Sequence, residues 1–286
     1  MPTGKDLDTL IALLESKAAR SGSVNIHYYA TGSGSPVVFL HGFPDHSLGW
    51  WKQIESLKND YRLLAIDQRG YNLSDKPEEA GAYHWQYLVD DLVAVLNHEG
   101  LADATVVGHD WGGYVAWRAA MTVPARVRSL VVLGMPHPGA IAPGLRANPA
   151  QRRSSDYVLF FQSPDAHLRY PSARLGFWVQ DEAFAGIHQA AMGRSSLKAM
   201  FDYYRENFPR PPAFEDDADY PPVIVPALLI HGRDDPYALP AGVRDTFGFV
   251  AGDLSVHLLS QAGHFLHQHN SEAVNRLLAE WLKARG

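Results

Sequence analysis

Three short stretches hold residues whose types and order could run a reaction together. The first is VVGHDWGGYVAW, residues 106–117. An apolar run ends in Gly108-His109-Asp110-Trp111-Gly112-Gly113, with small residues on either side of an aspartate, so the chain can turn too sharply for Cβ atoms to be tolerated there. The second, HGRDDPY, puts Asp234 and Asp235 directly after another apolar run. The third, QAGHF, places His264 in a loop after a further one. Read in chain order these are a carboxylate nucleophile, an acid and a histidine base, with Asp235 preferred as the acid and Asp234 its alternative. A carboxylate nucleophile suits displacement at a saturated carbon. Its product is an alkyl ester, which water activated by a histidine can hydrolyse at the carboxyl carbon. A serine at the same corner suits acyl transfer, so Asp110 points away from esters and amides. The plainer role for Asp110 is a helix N-cap; the partners in the right order favour the catalytic one.

A fourth stretch, His41-Gly42-Phe43-Pro44-Asp45, follows a strand-like run as well. Backbone N–H groups of Phe43 and Trp111 could converge on the Asp110 carboxyl and hold the oxyanion that forms when its ester is attacked. His41 and Pro44 are grouped with them as candidate oxyanion or substrate contacts. The run H-x-x-H-x-H formed by His264, His267 and His269 suggests a metal only weakly, because no partner motif completes three or four ligands. The expectation is no metal, with His267 and His269 on a helix surface or in support of the site.

These candidates require an open sheet that brings the carboxyl ends of its strands together. Apolar runs of strand length recur at NIHYYATG, PVVFLHG, YRLLAID, TVVGH, SLVVLG, PALLIHG and SVHLLSQAGH. Helical patterns lie between them, such as residues 84–100 and the C-terminal SEAVNRLLAEWLKARG. Runs that are apolar on both faces are those of a buried parallel sheet. The first twenty residues are charged and helical in pattern. From 136 to 221 the alternation stops: the segment is aromatic, helical in pattern and framed by proline-rich stretches. It reads as a helical lid, and the acidic exit near 215–222 as its hinge.

Composition excludes several classes. The chain has 286 residues, 46% hydrophobic and 20% charged, with a formal net charge of −6. Nothing here recruits nucleic acid or an anionic membrane. There is no cysteine, which removes disulfides and thiolate chemistry. The N-terminal stretch lacks the apolar core of a secretory signal, and no apolar run approaches the ~20 residues of a membrane span. A soluble, cytoplasmic protein is expected.

HGFPD, DQRGYNLSDKP (67–77), GHDWGG and AGHF stand in order, and on these motifs the chain resembles the α/β-hydrolase fold enzymes with an aspartate nucleophile, most nearly the epoxide hydrolases. The resemblance covers essentially the whole length. It implies a mostly parallel eight-stranded sheet flanked by helices, with a helical cap inserted after the sixth strand: core 1–135, cap 136–221, core 222–286. DQRGYNLSDKP is expected to be structural. Asn72 stands where the family often has glycine, a mild departure because Asn tolerates a left-handed backbone.

The same resemblance assigns the leaving group. SDYVLFFQSP (155–164) and MFDYYRENFP (200–209) look like the two tyrosine-bearing stretches of the epoxide hydrolase lid, which makes Tyr157 and Tyr204 the acids that hydrogen-bond the ring oxygen, one of them protonating the departing alkoxide. Adjacent helical residues point about 100° apart, so Tyr203 and Tyr204 cannot both face the pocket. The implied activity is hydrolysis of a small apolar epoxide by water to a vicinal diol, with no cofactor. Dehalogenation with the same Asp-His-Asp set is the alternative. Haloacetate dehalogenases carry arginines where this chain has Trp111 and Tyr114. Haloalkane dehalogenases use the tryptophan after the nucleophile, and Trp178 would be their second halide-binding indole. A ligand receptor with little turnover is a third reading.

Overall fold

The computed structural model describes residues 4–216 and 219–285. Eight strands form one sheet: β1 (Glu15–Ser21), β2 (Val24–Thr31), β3 (Ser35–Leu40), β4 (Tyr61–Ile66), β5 (Ala104–His109), β6 (Val127–Leu133), β7 (Ala227–Gly232) and β8 (Leu254–Leu259). Their order is β1-β2-β4-β3-β5-β6-β7-β8. β1 and β2 pair antiparallel, as do β2 and β4, and every other pairing is parallel. The chain belongs in the α/β class, as its alternation predicts.

β5 is buried along its whole length, as is β7. Helices cover both faces of such a strand, which is why these runs carry no polar alternation. The helix Trp85–His98 stops at Gly100, whose positive φ of 69° lets the chain turn away. β1 is a departure from expectation. The N-terminal helix ends at Ala12, and Glu15–Ser21 is an edge strand, not more helix. Only Ala19 and Ser21 of β1 are buried, so its apolar signal is faint.

Between β6 and β7 the chain is helical, with no sheet strand among the described residues. Its longer helices are Pro138–Ala147, Glu182–Arg194 and Leu197–Asn207. Residues of this segment reach the loops that follow β3 and β4. Phe161 and Tyr204 stand edge-on to Phe43 from above, and Arg194 Nε donates to Asn72 Oδ1 at 2.8 Å. Of the hinge expected at 215–222, residues 217 and 218 lie outside the described residues.

The loop after β4 is structural, as expected. Asn72 takes a φ of 39°, and its amide donates to the buried Asp67 carboxylate at 2.8 Å. Arg69 makes a two-pronged pair with Asp91 at 2.7 and 2.6 Å, both side chains buried. Removing one partner strands the other charge out of water. Asp91→Ala is therefore expected to cost about 3–5 kcal/mol. Denaturant melts check it, and Arg69→Met with Asp91→Leu should recover much of the loss. A single variant as stable as the parent would show the pair to be dispensable.

No helix among the described residues is long and apolar enough to cross a membrane.

Candidate active site

Asp110 sits where β5 gives way to the helix Trp111–Thr122, at a φ of 50° and ψ of −119°. So strained a backbone costs on the order of 1–3 kcal/mol and survives only where the surroundings impose it. Two glycines make the turn possible: a Cβ on Gly108 would run into the Gly112 carbonyl, and one on Gly112 into the Leu40 carbonyl. Asp110 makes no side-chain cap bond to the helix it precedes. Its carboxylate is aimed elsewhere: Oδ1 accepts the Phe43 amide at 2.8 Å, and Oδ2 lies 3.4 Å from His264 Nε2. The Trp111 amide heads the helix, and among the described residues it makes no bond to this carboxylate. It is one of the unpaired amides at a helix start, free to meet an oxyanion.

His264 Nδ1 donates to Asp235 Oδ2 at 2.8 Å. The other oxygen, Oδ1, accepts the amides of Tyr237 and Ala238 at 2.8 and 3.0 Å. This local turn fixes the carboxylate's direction. Asp234 is exposed, and among the described residues only its backbone amide is engaged, on the Ala262 carbonyl. Of the two candidates the structure brings Asp235 to the histidine. Asp110, His264 and Asp235 are all buried.

Electrostatics follow from this line of three groups. Burial disfavours the charged form of each, yet the interactions win. For Asp110, the His264 hydrogen bond and charge and the Phe43 amide together hold the carboxyl below its usual range. Asp235 is likewise held low by His264. Burial pushes His264 down, but Asp235 and Asp110 on either side lift it to about 10. In the resting protein His264 is an imidazolium between two carboxylates. Esterifying Asp110 would remove one negative charge, and the imidazole would then become a competent base near neutral pH. The expected result is that Asp110→Asn lowers the His264 pKa, read by NMR titration of the imidazole. An unchanged titration would mean that Asp110 does not control it. The linkage sign is that of a raised pKa: His264 contributes stability in full below its unfolded value near 6.5, and that contribution fades as pH rises through about 10.

A cavity of about 480 Å³ opens over Asp110 and His264, walled by Phe43, Phe160, Phe161, Tyr170, Phe177 and Phe265. Pro44, Tyr157 and Tyr204 also line it. A second cavity of about 320 Å³ meets the first at Asp110, Tyr157, Tyr237 and His264. Tyr157 and Tyr204, both from the helical segment, thus share a cavity with the aspartate. Burial raises both phenols well above their usual range, which keeps them protonated. Tyr203 points away and donates to the Arg69 carbonyl at 2.9 Å.

The structure gives several residues other tasks than the sequence suggested. His41 lines neither cavity; it is buried, with Nδ1 on the Gly42 carbonyl and Nε2 accepting the Gln68 amide, and it braces the loop from behind. His267 is fully buried, not on a helix surface, and bonds Asp45 at 3.2 Å. His269 is 2.9 Å from the Trp178 carbonyl. Trp178 cannot supply an indole to a halide, since its N–H is spent on the Pro44 carbonyl at 2.9 Å and its ring lies flat on Phe265. Two residues escaped the sequence reading. His109 Nε2 donates to the His264 carbonyl at 3.0 Å and steadies that loop. Tyr237 stands edge-on to both His264 and Tyr157. Its place two residues after Asp235 was the signal available.

Residues 35–270 match the family model described as the alpha/beta hydrolase fold. The chain belongs to the α/β-hydrolase fold family. Among relatives of this fold, epoxide hydrolase 3 of Xenopus tropicalis is 29% identical over 92% of this chain and 76% of that protein. Epoxide hydrolase 1 of Caenorhabditis elegans is 30% identical over 94% of this chain and 70% of that one. A variant of the Bacillus megaterium epoxide hydrolase, solved with a naphthyloxy-propanediol product, superposes with a TM-score of 0.85 at 29% identity, covering 93% of this chain and 100% of that chain. The α/β-hydrolase fold with its flanked, mostly parallel eight-stranded sheet is thus shared with solved epoxide hydrolases.

Proposed function

We propose that this hydrolase converts an apolar epoxide to a vicinal diol through an ester on Asp110. The observation that carries this reading is one cavity lined at once by the Asp110 carboxylate and by Tyr157 and Tyr204. An Asp110 oxygen attacks a ring carbon and the C–O bond breaks. The ring oxygen takes a proton from one tyrosine while the other hydrogen-bonds it, because an alkoxide is far more basic than a phenolate of pKa about 10. With Asp110 esterified, His264 gives its resting proton through solvent to the tyrosinate; oriented by Asp235, it then removes a proton from water, and the hydroxide adds to the carboxyl carbon of Asp110. The Phe43 and Trp111 amides receive the oxyanion. Collapse releases the diol and regenerates the carboxylate, which leaves His264 once more as the imidazolium of the resting protein. Water and epoxide in, diol out: the atoms balance without a cofactor.

The segment 136–221 acts in this reading as the lid, with 1–135 and 222–286 as the core. Its aromatic walls suit an apolar substrate with few placed polar groups. Relatives named epoxide hydrolases support the assignment. Halide release is disfavoured by the engaged Trp178 indole and by Trp111, whose ring is set edge-on behind Tyr204 and lines neither cavity. The test is incubation of the purified chain with a panel of epoxides, haloalkanes and haloacetates, following diol and halide separately. Diol without halide is expected. Halide without diol would overturn the reading, and binding without turnover would make the protein a receptor.

A further inference from the structure

The loop after β3 carries two buried polar side chains that this reaction does not use, Asp45 and His46. Asp45 Oδ1 accepts the His46 amide at 2.8 Å, and Oδ2 lies 3.2 Å from His267 Nε2. Among the described residues its one ion-pair partner is that histidine, and neither Lys nor Arg reaches it. From the lid, the helix Glu182–Arg194 brings down His188, which is 2% exposed. His188 Nε2 donates to the Leu175 carbonyl at 3.0 Å, so Nδ1 is left as a bare lone pair, buried and without a partner. His46 Nε2 is equally buried and unpartnered. One ligand atom from each of Asp45, His46 and His188 lies within 4.8 Å of the others.

We propose that Asp45, His46 and His188 form a divalent transition-metal site of the zinc class, tying the lid to the loop that carries Phe43. Two imidazoles and a carboxylate are a fitting donor set for zinc, with water in the fourth position. The His188 bond to Leu175 is the outer support that metal-bound histidines usually show, the far ring N–H on a carbonyl, and His267 supports Asp45 in the same way. A cation there would offset a carboxylate that otherwise lies buried without a full positive charge beside it. His188 also borders a separate cavity on the lid with Leu175 and Met192, which gives an ion a way in. The three ligands line neither catalytic cavity, so the role is structural.

Tautomers set the cost. His46 Nδ1 accepts a long bond of 3.4 Å from the Leu48 amide, so without metal the ring proton is on Nε2. Ligation moves that proton to Nδ1 and gives up the Leu48 bond, the weakest in the cluster. The competing occupant is one water molecule, which would accept from His46 Nε2–H and donate to Asp45 and His188.

The experiment uses the whole chain, stripped by a chelator, equilibrated with Zn²⁺ and desalted, with metal content read by mass spectrometry. About one zinc per chain is expected, together with a rise in Tm of roughly 5 °C or more. His188→Gln should lose both, and His269→Gln should keep both. Co²⁺ in place of zinc should give visible d–d bands in the parent and not in His188→Gln. No retained zinc in the parent, or equal zinc and equal bands in His188→Gln, would overturn the proposal in favour of the bridging water. Should His188→Gln fail to fold, the parent's cobalt spectrum decides: bands of histidine ligation support the site, and their absence removes it.

Discussion

With His264→Gln, the protein is expected to react once and stop. Asp110 would still open the ring, because attack needs only the ionised carboxylate and the lid tyrosines, neither of which depends on the imidazole's basicity. The ester would then have no base to activate water. Intact-protein mass should rise by one substrate mass, and the steady rate should fall by about 10³-fold or more, a barrier increase of about 4 kcal/mol. Asp235→Asn should show a milder version, since its carboxylate orients the ring through Nδ1. The competing mechanism has His264 activate water directly against the epoxide, with Asp110 as a bystander. It predicts loss of rate with no added mass. A single turnover of the parent in ¹⁸O-water separates the two again. Attack at the ester carbon leaves the label on Asp110, and direct attack puts it in the diol. If His264→Gln accumulates no ester while its initial burst is also lost, the nucleophile assignment fails, and His264 activates water directly against the epoxide.

Most of the fold was legible because a buried parallel sheet writes itself as apolar runs. Seven runs could be seen, and the eighth strand was found only in the structure. β1 lies at the sheet edge, where two inward residues, Ala19 and Ser21, are too few to set a period. Residues 15–20 look helical when read alone, since charged side chains suit either an edge strand or a solvated helix face. The corner at Asp110 was legible for a different reason. Its two glycines are required by close backbone contacts, and such contacts leave a spacing in the sequence.

What sequence could not carry was direction. Asp234 and Asp235 are neighbours at one strand end, and only the turn that gives Asp235 the Tyr237 and Ala238 amides selects between them. An indole in the lid looks like a halide donor until its N–H is seen on the Pro44 carbonyl. His41 sits in the loop that shapes the oxyanion site, yet its ring faces Gln68 and the core. His46 and His188 are more than 140 residues apart, and no spacing rule connects a core loop to a lid helix.

The tyrosines give the sharpest test of substrate class. Tyr204→Phe or Tyr157→Phe alone should slow ester formation by about 10–100-fold, since the remaining hydroxyl still meets the ring oxygen. The double variant should lose about 10³-fold or more in kcat/KM, because an alkoxide would then have to depart with no donor in an apolar cavity. The loss should sit in the alkylation step, so ester would no longer build up even with His264→Gln in the background. Folding should be little affected: each substitution removes one hydroxyl and keeps the ring, so Tyr204 would still stand against Phe43 and Trp111. A strained, activated epoxide should lose less than an unactivated one, as its oxygen leaves with less charge. If the double variant keeps its rate on an unactivated epoxide, the proton comes from another group. Tyr237 is then the first to replace, as a further phenol lining the cavity over Asp110 that also stands edge-on to His264.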